Sequence, residues 1–313
     1  IALNDANNYK SSGALKSLAA NYVSQHKFKE ALQLLTKAEL NADNLEGTQK
    51  MLFDVHLELG NYELAKTYLE GFENMSDFDY LIRLAKWSDH QGNLDAAITY
   101  MEKAKAVAEA SNLKSVKQWA YTNLADFYGH AGRINDSYNH FLMALELDPN
   151  DAYAKKGIAW VIYSHEKNPD EALRILNTVT KDYYAPDYFL LKAQIYEFKG
   201  DMAAKEAQLT LYNTAVKNEA YGDMYNQYNV QLYPQENHKL QEAIAIAKIE
   251  VDNRPTPHSY GLLAWSYFKN GQVQEALFLT KRYVLDHTSE PMALYHSAEI
   301  LKAAGDLKKV KEI

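Results

Sequence analysis

The feature that most constrains this chain is a unit of about 34 residues that recurs along its length. It is clearest over residues 118–150, where Tyr121, Leu124, Ala125, Tyr128, Gly132, Ser137, Phe141, Ala144 and Pro149 stand out. Counted from Gln118 as position 1, these fall at positions 4, 7, 8, 11, 15, 20, 24, 27 and 32. Positions 4, 7, 8 and 11 share one face of a first helix. The glycine at 15 turns the chain out of that helix. Positions 20, 24 and 27 line one face of a second helix, which the proline at 32 stops. Small residues at 8 and 20 let the two helices approach closely.

The same frame returns. Ser12 opens a unit with Leu18, Ala19, Tyr22, Ala31, Leu35 and Ala38, and Phe78 opens one with Leu84, Ala85, Gly92, Ala97, Met101 and Ala104. Pro257 opens one with Tyr260, Leu263, Ala264, Tyr267, Gly271 and Ala276. Unit starts lie near 12, 46, 78, 118, 152, 186, 224, 257 and 291, the last unit being cut off at Ile313. The fifth unit carries one extra residue in its turn. Two spacings, of 40 and 38 residues, predict longer second helices around 103–111 and 209–220. The seventh unit is the irregular one. Its first helix, near 224–232, breaks at Pro234, and the frame puts Gln231 where a small residue belongs.

This pattern resembles the tetratricopeptide repeat family, and the resemblance covers nearly the whole chain. It implies an all-α fold: a right-handed α–α superhelix of about nine helix-turn-helix repeats, with a lead-in over 1–11 and one solenoid over 12–313. Stacked neighbours would bury what a lone helix pair cannot. The family presents positions 2, 5, 9, 12 and 13 of each first helix to a concave groove. Carried onto this sequence, those positions place Tyr153, Lys156, Trp160 and Tyr163 in the groove, with Trp265 and Phe268 further on. Tyr225 and Tyr228 are further candidates, and Asp54, Asp126, Gln194 and Glu299 add polar groups. Aromatic side chains there suit binding, because they offer a large contact area at low entropic cost. The alternative is that they pack against neighbouring first helices. Some members clamp a C-terminal carboxylate with lysines and asparagines. Lys16 fits that pattern, but Ala20, Gly47 and Met51 break it.

Composition narrows the chemistry. With no cysteine, the chain has no disulfide, thiolate metal site or cysteine nucleophile. The net charge is −8, from 41 acidic and 33 basic residues, which argues against phosphate-backbone binding and a nucleic-acid partner. No apolar run reaches the length of a membrane span, and the first ten residues do not read as a signal peptide. A leader removed earlier would put the protein in the periplasm or at the cell surface. Lysine outnumbers arginine 28 to 5, a balance that resembles a bacterium with an A/T-rich genome.

No phosphate-binding glycine loop and no His-Glu-x-x-His motif occurs. Residues 89–95 superficially suggest a calcium loop, but the glycine comes two positions early and the closing glutamate is missing, so the segment reads as a turn between helices. His26, His90, His130 and His165 each fall near the end of a first helix, where the helix dipole favours a cation. Repeats hold them about 20 Å apart, too far for shared ligation. The reading that follows is a non-enzymatic scaffold, without cofactor, for a protein or peptide partner. Two alternatives stand beside it. One is the superhelical arm of a larger enzyme or signalling receptor. The other is capture of a small ligand or glycan at a bacterial surface. The open C-terminal end suggests continuation past Ile313, or a homodimer through that end.

Overall fold

The computed structural model describes residues 11–40, 45–233 and 239–313. Eighteen α-helices follow one another within them: α1 Ser12–Ser24, α2 Phe28–Glu39, α3 Leu45–Glu58, α4 Tyr62–Gly71, α5 Phe78–His90, α6 Leu94–Ala110, α7 Lys114–His130, α8 Ile134–Leu147, α9 Ala152–Ser164, α10 Pro169–Val179, α11 Pro186–Lys199, α12 Met202–Ala215, α13 Asn226–Leu232, α14 Leu240–Asn253, α15 Pro257–Lys269, α16 Val273–Leu279, α17 Pro291–Ala303 and α18 Leu307–Val310. No strand occurs among the described residues. Most of the lead-in (1–10) and Pro234 lie outside them.

The repeat frame becomes physical at three positions. At position 8, Ala19, Ala85, Ala125, Ala159, Ala193 and Ala264 are at most 1% exposed, and at position 20 so are Ala31, Ala65, Ala97, Ser137 and Ala276. At position 15 the backbone is left-handed: Gly60, Gly92, Gly132, Gly200, Gly271 and Gly305 have φ between +71° and +81°. Glycine adopts this conformation at little cost. The first repeat has His26 there, at φ +56°, and the fifth has Lys167 at +55° after its extra residue. The turn after α5 is the segment that suggested a calcium loop; Asn93 caps α6 by accepting from the Ala96 amide. Among the described residues, no group of three or more acidic or histidine side chains is placed to hold a metal.

The chain divides into two compact units, one of residues 1–73, 90–92 and 220–313 and the other of residues 74–89 and 93–219. In the second unit, Ala85, Ala97, Met101, Leu124 and Tyr128 join α5, α6 and α7 in one apolar cluster. A larger cluster runs through α7 to α11, with Phe141, Ile158, Leu176 and Ile195 inside it. Tyrosine hydroxyls tie repeats together: Tyr128 donates to Glu102 Oε1 at 2.7 Å and Tyr121 to Glu109 Oε1 at 3.0 Å. In the first unit, α1 to α3 share a core of Leu15, Ala19, Leu35, Leu52 and Val55, and Val230, Ile244 and Leu263 join α13, α14 and α15.

The long spacings resolve differently. The helix α6 is 17 residues long, as expected near 103–111. Near 209–220 the expectation fails, because α12 stops at Ala215 and a short 3₁₀ turn, Glu219–Tyr221, follows. Asn218, a weak helix former, follows three residues past that end. In the seventh repeat, Val230 is fully buried and Gln231 is exposed. The packing frame there begins one residue earlier, at Asp223, so Val230 takes the small-residue place. Tyr225 is then a core residue, 6% exposed, rather than a groove residue.

Candidate functional site

In the second unit, the first helices α7, α9 and α11 are linked side by side through polar side chains. The Tyr153 hydroxyl donates to Asp126 Oδ2 at 2.5 Å, joining α9 to α7. Lys156, one turn along α9, places Nζ 2.6 Å from Asp187 Oδ2 on α11. The same ammonium lies 4.9 Å from the Tyr153 ring centre and 5.4 Å from that of Tyr188, within cation–π range. Burial pushes the Asp126 carboxyl up from its ordinary range, and the Tyr153 hydrogen bond, His130 and Lys156 pull it back. Both aspartates therefore hold α9 side chains in fixed positions.

Beyond this charged rung, the strip is aromatic. Trp160 is 38% exposed and meets His165 edge-on at 5.6 Å. Its ring passes close to Gly129 of α7; a Cβ on that glycine would sit 3.7 Å from the indole. Tyr163 meets Phe198 of α11 edge-on at 5.4 Å, and Phe198 is itself exposed. Gln194 is exposed on α11. Six of the sequence candidates, Asp126, Tyr153, Lys156, Trp160, Tyr163 and Gln194, thus sit on three neighbouring helices of one unit.

Trp265 and Phe268 belong to α15 of the first unit. Trp265 stacks flat on His296 of α17, with ring centres 3.9 Å apart and 7° between planes. Phe268 leans on it at 5.3 Å, and Lys269 Nζ lies 5.5 Å from the indole centre. His296 is buried, and its pKa is driven down to about 4, chiefly by burial. A tryptophan so packed is part of the join between two repeats.

Three strip residues were missed in the sequence: Trp119, Asp187 and Phe198. Trp119 is 41% exposed on α7 and meets Phe78 edge-on at 5.7 Å. Trp119 and Asp187 occupy position 2 and Phe198 position 13, so the repeat frame is the signal that marks them in the sequence. Lys192 gave no such signal. It is buried in α11, with Nζ 3.4 Å from Thr180 Oγ1, and burial lowers its pKa.

Helix pairs joined by left-handed turns, with small residues at positions 8 and 20 and side chains bridging successive first helices, define a tetratricopeptide-type helical-repeat fold. Solved structures agree on the fold. The crystal structure of yeast Tom70 superposes with a TM-score of 0.54 at 17% identity, over 91% of this chain and 60% of that one. The human IFIT1 dimer with m7Gppp-AAAA gives 0.50 at 16%, over 93% and 71%. At these identities the likeness is one of fold. This chain spans less than two thirds of the Tom70 structure. No protein-family model matches the sequence, and no curated protein sequence matches it. Among the described residues, no helix is long and apolar enough to cross a membrane.

Proposed function

We propose that the chain is a non-enzymatic scaffold that holds a protein or peptide segment along the first-helix face of its second unit. The observation that carries this reading is the row of exposed rings Trp119, Tyr153, Trp160 and Phe198, which are 41, 44, 38 and 52% exposed. Large rigid rings give contact area at low entropic cost. Between them, the paired groups Asp126, Lys156 and Asp187 are fixed by their partners and supply register rather than bulk affinity. RNA is the competing ligand class, since the IFIT1 structure holds a capped oligonucleotide. A net charge of −8 and the acidic groups in the strip weigh against it here.

The test places a photo-crosslinking amino acid at Tyr163, with a control at Glu206, which is exposed on the second helix α12. After irradiation in source cells, the position-163 protein should capture a defined protein that the position-206 control does not. Trp160→Ala should reduce that capture at least tenfold at unchanged helicity. Equal capture at both positions, capture of RNA, or indifference to Trp160→Ala would refute the reading.

A further inference from the structure

In an array of repeats, each helix pair touches its neighbours in sequence. Within the first unit, residues 222–256 depart from this by meeting residues 25–60, with the joining hydrogen bonds spanning 196 to 227 positions. The connection between α14 and α15 runs extended, with Arg254 at φ −135°, ψ 82° and Thr256 at φ −101°, ψ 160°, and Pro255 and Pro257 forbid helix there. It lies against the turns that join the two helices of repeats one and two. Asn253 Nδ2 donates to the His26 carbonyl oxygen. Arg254 Nη2 donates to Glu58 Oε2 at 2.5 Å, and its guanidinium stands 5.1 Å from the Phe28 ring centre. Lys29 pairs with Asp252 at 2.8 Å. A Cβ on Gly60 would lie 3.1 Å from the Pro255 carbonyl oxygen, and one on Gly222 would lie 2.8 Å from Gln25, so bare backbone is what permits both approaches.

The seat has its own peculiarity. Where six other repeats carry glycine at the turn, the first holds His26 in the left-handed region. That conformation costs a non-glycine residue energy, which the surrounding contacts must offset. The His26 ring packs on Phe28 at 5.3 Å, and its carbonyl receives Asn253. An extended segment gripped by backbone acceptors, a carboxylate and an aromatic face is how a peptide ligand is held.

We propose that the turn edge formed by His26, Phe28, Glu58 and Gly60 is a recognition site for an extended arginine–proline segment, and that residues 254–256 of this chain, steadied by Asp252 and Asn253 at the end of α14, occupy it as an intramolecular strap. Arg254 is the anchor: its side chain and that of Glu58 are 14% and 23% exposed, whereas the Lys29–Asp252 pair is solvent-washed and contributes little. The site takes an arginine flanked by proline on a partner protein when the strap lifts. This inference is independent of the groove in the second unit.

The experiment uses the whole chain and a labelled synthetic peptide spanning residues 250–258, with binding read by fluorescence anisotropy. The parent should bind it weakly, because its own strap fills the seat. Asn253→Ala/Arg254→Ala should bind at least tenfold more tightly. Adding Glu58→Ala, or using a peptide with alanine in place of its arginine, should remove the gain. Circular dichroism and thermal melts check that each variant stays folded. The charge-swapped Arg254→Glu/Glu58→Arg chain should return to weak binding, and it tests the seat if the alanine variant fails to fold. Equal binding by parent and opened variant, no binding by either, or a gain that survives Glu58→Ala would show the contact to be a fixed structural join and overturn the proposal.

Discussion

Gly157 in the middle of α9 sets two known effects against each other. Replacing a mid-helix glycine with alanine should stabilise a helix by roughly 0.5–1 kcal/mol. Here, however, the new Cβ would sit 2.2–2.5 Å from three ring atoms of Phe141 on α8. Carbon atoms in contact prefer about 3.5–4.0 Å. The ring would therefore have to retreat by more than about 1 Å. It has nowhere to go, being 2% exposed in the cluster that also holds Ala144, Ala154, Ile158 and Leu176. Overpacking of this kind costs roughly 1–3 kcal/mol. The steric term wins, and Gly157→Ala should lose about 1–2 kcal/mol. Native-state hydrogen exchange on the amides of α8 and α9 reads this locally, which matters because repeat arrays open in parts. Trimming the ring supplies the control: in Gly157→Ala/Phe141→Leu the losses should fall short of their sum by about 1 kcal/mol or more. Slower exchange in Gly157→Ala, or strict additivity in the pair, would show that the close approach does not govern this helix contact.

Three further outcomes follow from single residues. Gly132→Ala meets nothing within 4 Å but keeps φ +71°, so its cost is conformational alone, about 1–2 kcal/mol in the same exchange measurement. Lys192→Met removes a buried ammonium whose pKa burial has lowered, and should raise the urea midpoint, by about 1–3 kcal/mol of stability. His296 titrates near 6.5 when unfolded and about 4 when folded; Glu290 opposes the shift, while His258 and Lys269 add to it. The folded state therefore binds fewer protons in between, so its contribution is intact above pH 6.5 and is lost as pH falls toward 4. Thermal melts of the parent should show a loss of order 1–3 kcal/mol across that window, and His296→Phe should flatten the slope while keeping a ring against Trp265.

The helix pairs were legible because the constraints that make them are local and repeated. A small residue at position 8 or 20 lets two helices approach in most repeats, and a left-handed residue at or next to 15 reverses the chain. These requirements print a period on the sequence. The aromatic strip of the second unit was legible in part, since the same period assigns Tyr153, Lys156 and Trp160 to one face and also carries Trp119 and Phe198 at its positions 2 and 13. Periodicity could not show which exposed-looking ring is already used: Trp265 and Trp160 share position 9, but only the partner helix decides that Trp265 lies flat on His296. Nor does any local pattern encode the meeting of Arg254 with Glu58, 196 residues away. The one trace was a deviation, histidine at the turn where six repeats have glycine. In a repeat protein the shared positions report the fold, so what is particular to this chain is best sought where a repeat breaks the pattern and its neighbours hold the break in place.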